Sequence, residues 1–187
     1  MTTKITGGSL RGRTLRIRRD VGLRPTAERV RSAIFSILGT GKVEGSRVLD
    51  LFAGTGAMGI EALSRGAAWA DFIESDGLRC KQLREFTRTL GLDEITRVFN
   101  KDAARTLDIV TGCYDLVFID PPYQLNPWEN LMTNLGNTLI LNTGSFVIAE
   151  HRYDRELLQT YDRLTLAESR RYGDTSISIY VTGVKIV

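Results

Sequence analysis

The chain has 187 residues, 42% of them hydrophobic, enough for one domain with a self-sufficient core and a small extension. No run nears the roughly 18 apolar residues of a membrane span, and the first eight residues lack the apolar stretch of a signal peptide, so a cytoplasmic protein is expected. Cys80 and Cys113 have no CxxC spacing and no histidine partner; they support neither a metal site nor a disulfide framework and are expected to be small, partly buried side chains.

The charge is unevenly placed. Residues 1–31 hold nine bases (Lys4, Arg11, Arg13, Arg16, Arg18, Arg19, Arg24, Arg29, Arg31) and two acids (Asp20, Glu28), a balance of +7 against +3 for the whole chain, which leaves −4 on residues 32–187. Arginine presents a planar fork that fits phosphate and stacks on bases, so a polyanion is the natural partner. A charge run can also be no more than solubilising.

In chain order, Lys4–Thr6 and Arg13–Arg18 flank a glycine-rich turn, which predicts a basic hairpin. Pro25 opens a segment in which Thr26 can cap a helix, with Val30, Ile34, Ile37 and Leu38 at helical spacing and an end near Gly39. Short apolar runs near 47–52, 70–74, 96–99, 115–119 and 145–149 alternate with helical stretches near 57–65, 77–90, 103–108 and 127–135, the pattern of a doubly wound α/β sheet. Tyr161–Arg171 and Ser176–Val181, joined by a turn at Gly173-Asp174, predict an antiparallel pair at the end.

The first sheet strand runs into Asp50-Leu51-Phe52-Ala53-Gly54-Thr55-Gly56-Ala57-Met58-Gly59. Gly54, Gly56 and Gly59 satisfy G-x-G-x-x-G, and Glu74 follows twenty residues after Gly54, where a carboxylate accepts from a ribose diol. Glycines there permit positive φ and close backbone approach to a ligand. The same pattern serves a dinucleotide. Two features favour S-adenosylmethionine (SAM): Asp50 places an anion that suits an ammonium and a sulfonium but opposes a pyrophosphate, and too little chain remains for a dehydrogenase substrate domain, with His151 the single histidine. Asp102-Ala103 follows the third sheet strand at the ligand edge; Asp102 suits the adenine amino group and equally the N-cap of the next helix.

Asp120-Pro121-Pro122-Tyr123 follows the buried run Tyr114–Ile119. Two prolines stiffen the exit from the sheet, and the Asp120 carboxylate with the carbonyl before the second proline offers two acceptors for the two N–H bonds of an exocyclic amine. Held so, the nitrogen lone pair faces the methyl donor without a strong base, and the Tyr123 ring supplies a stacking surface for a base taken out of its helix. In isolation the four residues also fit an ordinary extended turn.

Beyond this local chemistry the sequence resembles the RsmD-type bacterial 16S rRNA (guanine-N2)-methyltransferase family nearly end to end. The likeness lies in Ile5-Thr6-Gly7-Gly8 with Arg11-Gly12-Arg13, the segment 23–31 around Arg24-Pro25-Thr26, residues 48–56, Glu61–Ala67, Asp120–Tyr123 and Tyr172-Gly173-Asp174-Thr175. The resemblance implies a Rossmann-like SAM-dependent methyltransferase fold: a mostly parallel seven-stranded sheet, an antiparallel C-terminal strand pair and an N-terminal β-hairpin, divided as a basic extension over 1–22 and a methyltransferase domain over 23–187. It implies Asp50, Ala53, Gly54, Gly56, Glu74, Asp102, Ala103 and Asp120 at the cofactor, Asp120, Pro121 and Tyr123 at the target amine, and Lys4, Arg11, Arg13, Arg16, Arg24, Arg29 and Arg31 on RNA. Family members carry Tyr or Phe at position 123, which makes its ring count for more than its hydroxyl, and Arg171-Tyr172 either reaches the target base or packs. The implied partner is 16S rRNA in an assembled or partly assembled 30S subunit, bound by a monomer without a metal. Adenine N6 or cytosine N4 of DNA or RNA fits the same acceptors, and a non-catalytic assembly factor retaining SAM is a third reading.

Overall fold

The computed structural model describes residues 2–16, 28–107 and 109–183, so the expected boundary at 22/23, Arg24 and the Thr26 cap lie outside the described residues, as does the Arg16 side chain. Strands β1 (Thr2–Lys4) and β2 (Thr14–Arg16) form the predicted hairpin. Helices α1 (Glu28–Leu38) and α2 (Thr40–Val43) lead to β3 (Arg47–Leu51), α3 (Ala57–Ser64), β4 (Trp69–Glu74), α4 (Gly77–Thr89) and β5 (Thr96–Asn100). Then come β6 (Tyr114–Ile119), α5 (Trp128–Asn137), β7 (Leu141–Arg152), β8 (Thr160–Tyr161), β9 (Leu164–Tyr172) and β10 (Thr175–Thr182).

The large sheet has the order β5-β4-β3-β6-β7-β10-β9-β8. The first five strands run parallel, while β10 is antiparallel to both β7 and β9. The expected seven strands are all present, and an eighth two-residue strand extends the edge. The strand expected over Tyr161–Arg171 breaks because Asp162 takes φ 54°, a left-handed turn that folds β8 back on β9. The helix expected over 103–108 is a single 3-10 turn, Ala103–Arg105; the Thr106 hydroxyl bonds back to the Asp102 carbonyl, a local alternative to further helix.

Strand pleating sorts the core into two layers. Val48, Phe72, Leu116 and Phe118 pack against Ile34, Phe35, Ile60 and Leu83 of α1, α3 and α4. Leu49, Leu51, Val117 and Ile119 face Leu131, Met132 and Leu135 of α5. The hairpin belongs to the first layer, since Ile5 and Leu15 are each 1% exposed within it.

Helix α3 is buried along its whole length, and Glu61 on it collects four donors. These are the Thr6 N–H at 2.8 Å and hydroxyl at 2.7 Å, Arg31 Nε at 3.2 Å and Arg65 Nε at 2.9 Å. Burial pushes the Glu61 carboxyl up, but the Thr6 and Arg65 hydrogen bonds and the Arg31 charge outweigh it and hold the acid below its ordinary 4.5. Arg31 is fully buried and also donates to the Lys4 carbonyl. That corrects the expectation that Arg31 holds RNA: its guanidinium is inside the protein, locking the hairpin and α1 to α3.

Breaking a buried pair strands its partner's charge. Glu61→Ala is expected to lower unfolding free energy by about 3–5 kcal/mol, measured by urea denaturation at neutral pH; a loss under about 1 kcal/mol would show that the knot is not what fastens the hairpin. With a depressed folded pKa, the Glu61 contribution is present above the unfolded value of 4.5 and is lost as pH falls through the folded one.

Candidate active site at the carboxyl edge of the sheet

Between β3 and β6 the chain reverses the direction in which it adds strands, and open α/β sheets collect ligands at the carboxyl end of such a junction. Register places three acids there. Asp50 pairs with Phe72 and Phe118, and Glu74 and Asp120 each lie two residues beyond those partners. A two-residue step keeps the same face of the pleat, so Asp50 and Glu74 fall on the α3 side, and Asp120, just past the end of β6, is near enough for its charge to act on Asp50.

The loop after β3 is built by hydrogen bonds to these carboxylates. Asp50 Oδ2 accepts the Gly59 N–H at 3.0 Å, and the two oxygens of Glu74 accept Gly54 N–H at 2.9 Å and Asp76 N–H at 2.8 Å. Phe52 is held at φ 62°, a strained conformation for a side chain of its size, of the kind that accumulates at functional sites. Gly56, at φ 73°, starts α3. A Cβ at Gly56 would strike Leu83 and one at Gly59 the Phe72 ring, so these two glycines serve close packing of α3 on its neighbours, a reason beyond the room for a ligand expected from sequence.

Asp50 is 4% exposed and makes no salt bridge among the described residues. Burial pushes its carboxyl up to about 8, against the lowering by the Gly59 N–H, and the charges of Asp120 and Glu74 raise it further. The neighbouring acids therefore gather negative potential at this edge, and a cation placed beside them would draw the Asp50 proton off.

Asp102 is exposed beyond β5, its carbonyl accepting the Arg105 N–H at 3.2 Å at the start of the 3-10 turn, while Ala103 is buried. Lys101 N–H bonds the Glu74 carbonyl at 3.0 Å, which ties this turn to the same edge. Asp50, Ala53, Gly54, Gly56, Glu74, Asp102, Ala103 and Asp120 thus share one rim.

Pro121 is buried and Pro122 exposed, and the Pro122 carbonyl accepts the Leu125 N–H at 2.8 Å. The Pro122 carbonyl is thus engaged within the loop itself. Tyr123 is 36% exposed, and its hydroxyl meets Thr175 Oγ1 at 2.7 Å. Beyond Pro121 lies a cavity of about 430 Å³ lined by Tyr123, Leu125, Trp128, His151, Arg152 and Arg155, with Asp154. Its size is that of a small-ligand site. His151 bonds Ser178 Oγ at 2.9 Å and packs edge-on to Trp128; burial lowers its pKa, so the ring is a neutral wall of the cavity.

Sequence reading missed the cavity residues on α5 and β7, because their roles come from where β7 ends beside β6 and no local pattern records that. Arg171 and Tyr172 are not among the cavity residues: Arg171 stacks its guanidinium 3.8 Å from the Tyr153 ring centre, and Tyr172 packs on the first core layer. Of the expected RNA contacts, Lys4, Arg11, Arg13 and Arg29 are exposed. The hairpin turn lies at the opposite edge from Tyr123: Ser9 N–H bonds the Ser64 carbonyl at 2.7 Å, and Ala68 N–H bonds the Ser46 carbonyl at 2.8 Å just before β3 begins. Cys80 is buried, whereas Cys113 is exposed, against the expectation that both are partly buried.

The raised Asp50 value sets a stability test. A carboxyl whose folded pKa lies above its unfolded 3.8 contributes stability fully present below 3.8 and lost as pH rises through about 8. Asp50→Asn keeps an acceptor for Gly59 and does not titrate. Its advantage over the wild type is expected to grow by up to about 1.4 kcal/mol per pH unit across that window and to level off above it, read from urea unfolding at pH 5, 7 and 9; a constant difference would refute the assignment.

Comparison with known proteins identifies the family and the fold. The family described as conserved hypothetical protein 95 matches residues 3–181. Ribosomal RNA small subunit methyltransferase D of Escherichia coli strain K12 is 33% identical over 177 residues, 95% of this chain and 88% of that protein. The Haemophilus influenzae protein of the same name is 33% identical over 180 residues, 95% and 92% of the two chains. Among solved structures, yhhF of Escherichia coli superposes with a TM-score of 0.87 at 30% identity, covering 99% of this chain and 100% of that one. An RNA methyltransferase of Salinibacter ruber, solved with S-adenosyl-L-homocysteine, shares the fold at 15% identity and a TM-score of 0.66, covering 88% and 97%. The chain therefore belongs to the RsmD family of methyltransferases.

Proposed function

We propose that the protein transfers the methyl group of SAM to the exocyclic N2 amine of a guanine in 16S rRNA, acting as a monomer on an assembled or partly assembled 30S subunit. The observation that carries the reading is the placement of the Asp120 motif directly beside the glycine loop and its buried acids, with a nucleotide-sized cavity on the far side of Pro121. The donor set fits a cationic cofactor, because Asp50 lies buried without a counter-charge and a positive ligand relieves that cost. Asp50, Ala53, Gly54, Gly56, Glu74, Asp102 and Ala103 would hold SAM, which supplies an electrophilic methyl on a cationic sulfur.

The chain's own contribution is orientation. Asp120 and the Pro121 carbonyl accept the two N–H bonds of the amine and so aim its lone pair along one direction, worth more than any proton abstraction in such a transfer. The amine proton is shed after the new C–N bond forms. The Tyr123 ring lies along the base, and Pro121, Trp128 and His151 exclude water from the cavity. Lys4, Arg11, Arg13 and Arg29 grip phosphates, joined by Arg16 and Arg24 of the basic segment. The choice of guanine and of small-subunit RNA draws on the relatives' names and the family resemblance; the amine chemistry draws on the geometry.

Asp120→Ala is expected to keep SAM binding while lowering transfer to 30S subunits by about a hundred-fold or more. Nucleoside mass spectrometry of the product should give N2-methylguanosine; N6-methyladenosine or N4-methylcytidine would assign the alternative amine substrates. SAM bound with no turnover on RNA or DNA would leave the non-catalytic assembly factor. Binding should also release a proton near pH 7, seen by calorimetry in buffers of different ionisation heat, and Asp50→Asn should remove that release; equal proton release by both proteins would contradict the role given to Asp50.

A further inference from the structure

The hydroxyl of Tyr123 has a partner that the sequence did not suggest. Tyr123 stands on the loop between β6 and α5, outside any helix or strand, where a side chain has rotamer freedom unless something fixes it. Its phenol oxygen lies 2.7 Å from Thr175 Oγ1, and Thr175 is 5% exposed.

Thr175 itself is fixed from three directions. It pairs with Arg152 at the end of β7 and with Tyr172 at the end of β9. The two residues between Tyr172 and Thr175 make a tight hairpin with Gly173 at φ 65° and no positive φ at Asp174, as a type II′ turn requires of its first central residue. The Asp174 carbonyl in turn accepts the Tyr153 N–H at 3.1 Å. The segment Tyr172-Gly173-Asp174-Thr175 thus places one hydroxyl where the end of the sheet meets the cavity.

We propose that Thr175 is a positioning residue: its hydroxyl latches the Tyr123 phenol and so holds the ring in the plane against which the acceptor base is laid. This rests on the proposed function, in which Tyr123 is the wall facing the base. The latch also gives the C-terminal hairpin, distant in sequence from the Asp120 motif, a direct part in acceptor geometry. Loss of the latch should disturb alignment more than affinity, because RNA affinity comes chiefly from phosphate contacts elsewhere, whereas a ring displaced by about an ångström misdirects the amine.

The test is a double-mutant cycle between Thr175→Val and Tyr123→Phe, with Thr175→Ser as the conservative control. Each single loss of a hydroxyl is expected to lower kcat for 30S methylation roughly ten-fold with KM for the subunit nearly unchanged. Thr175→Ser should restore kcat, and the double variant should be no worse than either single one. Losses that multiply in the double variant, a change confined to KM, or failure of serine to rescue would each overturn the proposal. Should Thr175→Val fail to fold, Tyr123→Phe, which leaves Thr175 in place, carries the kinetic comparison.

A second readout is independent of the acceptor. 3-Fluorotyrosine placed at position 123 should give a ¹⁹F resonance that moves in Thr175→Val and returns in Thr175→Ser. A resonance indifferent to Thr175 overturns the latch whatever the activity. If the wild type transfers no methyl to rRNA, the proposed function falls, and the resonance alone decides the latch.

Discussion

Burial of the eight-residue helix α3 is the constraint on which the rest of the structure turns. A short helix surrounded on all sides has to satisfy its polar neighbours from within, and two carboxylates do this at successive turns. Asp50 takes the Gly59 N–H on the first turn, and Glu61 gathers Thr6, Arg31 and Arg65 on the second. The first contact shapes the glycine loop, and the second fastens the hairpin and α1 to the domain. Both carboxylates are buried, but they are satisfied in opposite ways. Glu61 has cations beside it and is held in its charged form, whereas Asp50 has other acids beside it and is pushed toward its neutral one. One is a finished structural joint; the other is a buried acid without a cation beside it among the described residues.

The two edges of the sheet repeat that contrast. At the amino edge Asp71 meets Arg47 Nη2 at 3.1 Å and the Tyr114 hydroxyl at 2.6 Å, while the Arg47 guanidinium lies over the Trp69 and Tyr114 rings. The acid there is paired with a cation, and burial with the Asp71 hydrogen bond pushes the Tyr114 phenol up. At the carboxyl edge, neither Asp50 nor Glu74 pairs with a basic side chain among the described residues. Parallel strands present the same edge to every loop that follows them, so one acid from each of three neighbouring strands is brought together without any long-range sequence signal.

Much of this was legible because it is periodic. The central strands β3, β4 and β6 are short apolar runs buried on both faces, the helices between the strands repeat at 3.6 residues, and the two Asp-containing motifs stand at the ends of β3 and β6. What escaped was whatever depends on which way a side chain turns. Arg31 sits among arginines that face solvent, yet its spacing from Val30 and Ile34 on α1 turns it to the hairpin and Glu61. The break at Asp162 needed a left-handed residue that is not glycine, and nothing local announces it. The cavity is assembled from the loop after β6, α5 and the end of β7, segments whose adjacency is a property of topology. Tyr123 counted in the sequence for its ring more than its hydroxyl; Thr175, 52 residues away, supplies the hydroxyl's partner.

The direction of the hairpin bears on what an RNA partner must look like. Its turn, with Arg11, is docked at the amino edge beside Ser64, while Lys4 and Glu28 lie farther toward the carboxyl edge, their contact being the Lys4 N–H on Glu28 Oε1 at 3.0 Å. A five-residue strand spans about 17 Å at 3.3 Å per residue, so an acceptor that touches both the turn arginines and Tyr123 crosses at least that distance along the domain. An isolated nucleotide cannot do so, and a short single strand would gain little from contacts so far apart. A structured RNA, with its backbone held in place by its own folding or by bound proteins, meets both ends at once without paying to order itself. Under the proposed function, the lopsided charge of residues 1–31 and the small cavity at Pro121 are then two parts of one recognition problem: the cavity would select the base, and the arm the surface from which that base is presented.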